Sequence, residues 1–217
     1  NGCETSVEFT ISEPDALSAS VSVSDVSCNG EDDGSAELTV IGGTPPYSTE
    51  NLTELTAGTY TTTVIDSNGC ETLVDFTVSE PDQLEYSITI TDPICNGDSG
   101  SVQVTASGGT PPYTTLGSAD FLAGTYNSQV SDANGCVTIF EFTVSEPDAL
   151  VASVSVSDVS CNGGDDGSAE LTVTGGTAPY TTEDLTELTA GTYTTTITDA
   201  NGCETSVEFT ISEPDAL

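Results

Sequence analysis

The chain repeats itself, and this restricts its fold more than any other property. Asn-Gly-Cys stands at 1–3, 68–70, 134–136 and 201–203, and Cys-Asn-Gly at 28–30, 95–97 and 161–163. Gly-Gly-Thr followed by Pro-Pro-Tyr or Ala-Pro-Tyr occupies 42–47, 108–113 and 175–180. Ala-Gly-Thr-Tyr ends at Tyr60, Tyr126 and Tyr193, and Ser-Glu-Pro-Asp falls at 12–15, 79–82, 145–148 and 212–215. Landmarks in a fixed order, returning every 66 or 67 residues, describe small tandem domains. Boundaries placed just after each Glu-Pro-Asp-x-Leu give repeats at 18–84, 85–150 and 151–217. Residues 1–17 read as the C-terminal strand of a preceding repeat, since their sequence is identical to 201–217. The sequence opens in mid-motif, without an initiator Met or a signal peptide, so it is expected to be an internal piece of a longer protein.

Inside each repeat the hydrophobic period is two, which is the period of a half-buried strand. Ala19, Val21 and Val23 alternate with serines, and Ala36, Leu38 and Val40 alternate in the next run. Runs 59–65 and 72–78 flank Asp66-Ser67-Asn68-Gly69, and Asn-Gly between alternating runs predicts a hairpin. Gly42-Gly43-Thr44-Pro45-Pro46 is a turn that no helix tolerates. Five or six short strands in a period this small predict a β-sandwich. Tyr60, Tyr126 and Tyr193 each open a late strand just after Ala-Gly-Thr and are expected to form tyrosine corners, bonding back to the preceding turn. The fold class is therefore all-β, a tandem array of small sandwiches.

Charge removes whole classes of function. The 217 residues include 36 Asp and Glu and no Lys, Arg or His. Nucleic-acid binding needs cations to displace the phosphate counterions, and an anionic membrane surface repels such a chain. No apolar run reaches the roughly 18 residues of a spanning helix, so no membrane insertion is expected. Catalysis loses its imidazole base, its Schiff-base amine and its phosphate clamps, so the chain does not read as an enzyme. A glycosidase built on paired carboxylates would have to recur in every repeat without Trp or Arg to hold a sugar. The composition is nonetheless that of a folded protein. Ser and Thr total 62 and accompany frequent Val and Ile, a strand composition rather than that of an acidic disordered tail.

The seven cysteines fall two to a repeat, with Cys3 in the leading segment. A zinc site would want several Cys or His close together, and a reactive thiol would want a cation or a base; His and cations are absent. Disulfides in an oxidising compartment follow. The simplest pairing is Cys28–Cys70, Cys95–Cys136 and Cys161–Cys203, with the partner of Cys3 missing. Strand parity leaves a second pairing open: three strands between the two cysteines of a repeat would put them at opposite poles, and the partner would then lie in the neighbouring repeat, for example Cys28 with Cys136.

The acidic loops invite calcium, a hard cation that takes clustered carboxylate and carbonyl oxygens. Candidate ligands are Glu31, Asp32 and Asp33, Asp165 and Asp166, and the hairpin aspartates Asp66, Asp132 and Asp199, with further acids at the Glu-Pro-Asp junctions. Such residues also serve simply as turn formers. Apart from calcium no cofactor is expected. Asn51-Leu52-Thr53 is a glycosylation sequon at Asn51, and the Thr-rich strand faces could carry O-glycans.

In combination, Cys-Asn-Gly, Asp-Gly-Ser-Ala before a strand, Gly-Gly-Thr-Pro-Pro-Tyr, Ala-Gly-Thr-Tyr-Thr-Thr-Thr-Val, Asp-x-Asn-Gly-Cys and Glu-Pro resemble the SprB repeat. The stretch after Pro-Tyr, Ser48–Thr56, lacks the Trp common in that family. The resemblance implies immunoglobulin-like, PKD-like modules in long cell-surface adhesins of gliding bacteria, exported by type IX secretion. The expected role is a spacer or scaffold in an extracellular fibre or adhesin stalk at the cell surface. The alternative is a repeated module that binds glycan or protein ligands and acts by avidity. Expected partners are the neighbouring repeats, with lateral or end-to-end self-association into a fibre as a further option, in which 1–17 could serve as a donated strand.

Overall fold

The computed structural model describes residues 2–216. Asn1 and Leu217, the outer ends of the leading segment and of the third repeat, lie outside the described residues. Thirteen strands form and, among the described residues, no helix. The first repeat holds β1 (Ser18–Ser24), β2 (Ser35–Ile41), β3 (Gly58–Ile65) and β4 (Glu71–Val78). The second holds β5 (Glu85–Thr91), β6 (Gly100–Ser107), β7 (Ser118–Phe121), β8 (Gly124–Ser131) and β9 (Val137–Val144). The third repeats the first, with β10 (Val151–Ser157), β11 (Ser168–Thr174), β12 (Gly191–Thr198) and β13 (Glu204–Ile211).

Contacts divide the chain into two compact units. One comprises Asn1–Glu85, Ala106–Thr114 and Val130–Thr138; the other comprises Tyr86–Thr105, Thr115–Gln129 and Ile139–Leu217.

In the first repeat β1 pairs antiparallel with β2, Val21 opposite Leu38. The hairpin β3–β4 sets Tyr60 opposite Phe76. The pleat sends alternate side chains to one face, so Val74, Phe76 and Val78 are buried while Asp75 and Thr77 are exposed. The two sheets close on each other through Val26, Phe76 and Val78, with Val21, Val23, Ala36 and Leu55 packed around them. The third repeat builds the same cluster from Val159, Phe209 and Ile211. The second differs: its extra strand β7 joins β5 and β6 in a three-stranded sheet. Phe121 from β7 meets the edge of Phe142 at 5.3 Å between ring centres, and Tyr86 stacks on Phe140 at 4.1 Å. Four or five ladder strands per repeat are fewer than the seven of an immunoglobulin constant domain.

Residues 2–16 depart from expectation. They form no strand and are exposed. No ladder forms along them, and a strand without a ladder leaves its N–H and C=O groups to water.

Candidate functional site

The residues that repeat most faithfully gather at the two poles of each sandwich, and each pole makes the contact that leads to the next repeat. At one pole the Cys-Asn-Gly loop is bound to the Glu-Pro-Asp linker. The Glu80 carboxylate accepts the N–H of Gly30 at 2.6 Å, and Asn29 Nδ2 donates to the Pro81 carbonyl at 3.1 Å. Glu146 and Glu213 hold Gly97 and Gly163 in the same way. Asp25 accepts the N–H of Ser79, Asp92 that of Ser145, and Asp158 that of Ser212. Thus the loop after the first strand and the linker after the last strand form one hydrogen-bonded pole.

The linker then grips the following repeat. The Asp15 carbonyl accepts the N–H of Gly43 at 2.8 Å, and Asp82 and Asp148 do the same for Gly109 and Gly176. Gly42 sits at φ +69°, and a Cβ there would collide with the Ala16 carbonyl. Glycine at this turn is therefore required both by conformation and by the approach of the linker. The turn is closed by a tyrosine: Tyr47, Tyr113 and Tyr180 donate their hydroxyls to the carbonyls of Gly42, Gly108 and Gly175 at 2.6–2.7 Å. The Pro45–Pro46, Pro111–Pro112 and Ala178–Pro179 peptides within it are cis.

Beside this turn lies the Asn-Gly-Cys hairpin, organised by a buried carboxylate. Asp66 Oδ1 accepts the N–H groups of Asn68 and Cys70, and Oδ2 accepts that of Thr44, all at 2.9 Å. Asp132 and Asp199 repeat the arrangement. Hydrogen bonds to the charged form favour it. The backbone N–H of Cys70, foremost, lowers the Asp66 pKa, and that of Thr110 leads for Asp132. For Asp199 burial pushes upward, and the N–H groups of Thr177, Cys203 and Asn201 outweigh it.

These three aspartates were expected among calcium ligands; in the structure they organise their own hairpin. Their oxygens already serve backbone donors from two turns, whereas calcium takes six to eight oxygens of its own. Among the described residues no three acidic or thiol groups gather as a cation site. Asp33 and Asp166 instead accept the N–H groups of Ser27 and Ser160, shaping the Cys-Asn-Gly loop. Glu31, Asp32 and Asp165 are exposed. Asn51 is exposed too, its side-chain oxygen accepting from the Thr53 hydroxyl at 3.0 Å.

The disulfides join one kind of pole to the other. Cys28 bonds Cys136 and Cys95 bonds Cys203. The simplest pairing within a repeat is overturned, and the open alternative is what forms. The reason is the parity of chain passes. Gly34 bridges Leu55 at the pole of Cys28, whereas Ser48 bridges Ile65, next to the hairpin of Cys70, at the other pole. Three passes of chain lie between the two cysteines, so they face opposite ways. Cys70 and Cys161 are accordingly unpaired, as is Cys3. Around the first bridge Asn134 Nδ2 donates to the Ser27 carbonyl at 2.8 Å, and the Thr138 hydroxyl donates to the Leu84 carbonyl at 2.8 Å. The tyrosine corners form as expected: Tyr60, Tyr126 and Tyr193 donate to the carbonyls of Thr56, Leu122 and Thr189, all at 2.9 Å.

This architecture defines a class: a tandem array of small all-β modules whose successive members are hydrogen-bonded and disulfide-bonded pole to pole. The family model described as the SprB repeat matches the chain three times, over residues 20–48, 87–114 and 153–181. Each of the three repeats thus carries a match to the SprB repeat. Each match runs from the first strand to the Pro-Tyr turn and includes the Cys-Asn-Gly loop, while the Asn-Gly-Cys hairpin that completes the bridge lies outside it. No curated protein matches the chain.

Proposed function

We propose that this chain is a non-catalytic segment of an extracellular fibre or adhesin stalk at the cell surface, and that its repeats act by bearing load and holding spacing. The observation that carries this reading is the interleaving of the two disulfides. Cys95 lies inside the loop closed by Cys28–Cys136, and Cys136 lies inside the loop closed by Cys95–Cys203. A pull along the chain therefore runs through the bridges and only the stretch from Cys95 to Cys136. Disulfides also persist in oxidising surroundings, which supports a location outside the cytosol. Carboxylates without cations repel along and between chains, which keeps fibres from collapsing.

Single-molecule stretching tests the reading. Between Cys28 and Cys203 the oxidised chain should extend to about 140 Å and the reduced chain to about 600 Å, at roughly 3.4 Å per residue. Equal extension in both states would remove the load-bearing role. Micromolar binding of one repeat to a glycan array would move the reading to the adhesive alternative.

A further inference from the structure

The pass of chain at 48–55 covers the edge of β2 only in part. Ser48 bridges Ile65 of β3, and the chain reaches β2 at Leu52, whose carbonyl accepts the N–H of Ala36 at 2.8 Å, and at Leu55, which bridges Gly34. Antiparallel pairing turns the N–H and C=O groups of alternate residues to one edge, so those of Leu38 and Val40 share the edge of Ala36. Among the described residues they have no backbone partner there. Beside them lies a cavity of about 430 Å³ lined by Leu38, Val40, Tyr47 and Leu52 together with the exposed Glu37 and Glu50. The third repeat leaves the same edge open: the Leu185 carbonyl accepts the N–H of Ala169 at 2.9 Å and Leu188 bridges Gly167, while Leu171 and Val173 have no such partner.

The second repeat shows how that edge is filled. There β7 pairs with β6, Gly100 opposite Phe121 and Val102 opposite Ala119, and the Gly117 carbonyl accepts the N–H of Val104 at 2.8 Å, at the place of Leu38. The other two repeats stop short because one extra residue intervenes: Leu55 to Leu52 spans what Phe121 to Ala119 spans in β7. Glu54 and Glu187 take up that residue in left-handed backbone, at φ +59° and +56°, which bulges the chain away from the edge. Charge follows the same division. Glu37 and Glu50, and Glu170 and Glu183 in the third repeat, are replaced by Gln103 and Leu116 in the second. Carboxylates therefore stand where the edge is open, and neutral residues where it is filled. The first repeat is followed by a complete repeat and the third is preceded by one, so the open edge owes nothing to either end of the sequence.

We propose that the open edges of β2 and β11 each dock an extended basic segment of a partner protein, added as a strand along Leu38–Val40 or Leu171–Val173. The segment's backbone completes the ladder, as β7 does in the second repeat. An apolar side chain enters the cavity, and a neighbouring Lys or Arg meets Glu37 and Glu50. The occupant is foreign because this chain has no Lys, Arg or His of its own, and the same carboxylates repel a second copy at the edge. Such docking sites are additional to the load path, which runs through the bridges.

The test uses the full oxidised chain and the peptide Val-Lys-Val-Lys-Val, blocked at both ends. At saturation, amide hydrogen exchange read by NMR should slow at least about tenfold at Leu38, Val40, Leu171 and Val173, and stay unchanged at Val104. The same peptide with every backbone amide N-methylated keeps its charge but cannot form a ladder, and should protect none of them. Glu37→Gln combined with Glu50→Leu, the residues of the second repeat, should weaken binding at the first repeat about threefold or more. Binding at the third repeat should stay as it was, which serves as the control within the same molecule. Equal protection by both peptides, or protection spread over the acidic surface, would mean unselective charge attraction and overturn the proposal. So would an absence of protection, a double variant that binds as before, or a neutral oligosaccharide that protects these amides where the peptide does not. None of these outcomes alters how far the reduced and oxidised chains extend, so the load-bearing reading stands or falls separately.

Discussion

Residues 2–16 and 202–216 have the same sequence and different structures. In the second copy residues 204–211 form β13, paired along its whole length with β12, Phe209 opposite Tyr193. Phe209 and Ile211 are 6% and 1% exposed. In the first copy Val7, Phe9 and Ile11 are 80%, 80% and 86% exposed. Nothing in the local sequence decides between the two, because local sequence is shared. The ladder partner and the opposing sheet decide, which is what is meant by calling β-propensity a matter of context. The end of the leading segment still behaves as a linker: the Asp15 carbonyl meets the following Gly-Gly turn as those of Asp82 and Asp148 do.

Removing the segments separately should sharpen the contrast most. Deleting residues 204–217 takes away a strand and the centre of the third core, and that repeat should unfold outright. Deleting residues 1–11 should leave the thermal midpoint of the remainder within about 1 °C, as expected where nothing is packed. Hydrogen exchange resolved by repeat would read both results, and loss of protection in the first repeat on deleting 1–11 would break the comparison.

Reduction comes next in size. A bridge closing a loop near 100 residues is worth about 4–5 kcal/mol in the chain-entropy description. Cys203→Ser should therefore lower the stability of the third repeat by several kcal/mol, while Cys3→Ser, at the same place in the identical segment, should change nothing measurable in denaturant titration.

The same pairing holds for single side chains. Phe209→Ala should cost about 3–5 kcal/mol, the range for a buried phenylalanine, against less than about 0.5 kcal/mol for Phe9→Ala. Equal effects in urea unfolding would mean that residues 4–11 are packed after all.

Acid supplies a smaller, graded effect. Asp66, Asp132 and Asp199 have folded pKa values below the ordinary Asp value of 3.8. A depressed folded pKa stabilises the fold above the unfolded value, and the stabilisation is lost as pH falls through the folded one. Melting temperature should hold from neutral pH down to about 4 and fall below it, with hairpin amide protection lost first. Asp66→Asn, which keeps one acceptor oxygen and removes the charge, should flatten the acid limb in the first repeat.

The repeats, the strand runs and the tyrosine corners were legible because each is local: period-two alternation, Asn-Gly in a hairpin, and Tyr60 four residues after Thr56. The bridges were legible only in part. Parity raised the possibility of Cys28–Cys136, but choosing it required knowing that 48–55 crosses the sandwich as a third pass, and that stretch makes only isolated bridges at its two ends. What the hairpin aspartates hold was not legible, for a related reason. An Asp before Asn-Gly looks the same in sequence whether it faces a cation or folds back on the N–H of Cys70 and across to Thr44, 22 residues away. The roles of Tyr47 and Glu80 were missed. Their partners recur at nearly constant offsets, Gly42 five residues back and Gly30 fifty residues back, with 49 residues in the second repeat, and that shared spacing across repeats was the available signal.

Cross-linking between successive repeats is the central claim, and peptide mapping of the oxidised, non-reduced chain tests it directly. Digestion must use a protease that cuts after Asp or Glu, because the chain has no Lys or Arg. The map should contain Cys28 joined to Cys136 and Cys95 joined to Cys203, with Cys3, Cys70 and Cys161 recovered as alkylated thiols in the monomer. Peptides joining Cys28 to Cys70 or Cys161 to Cys203 would contradict it.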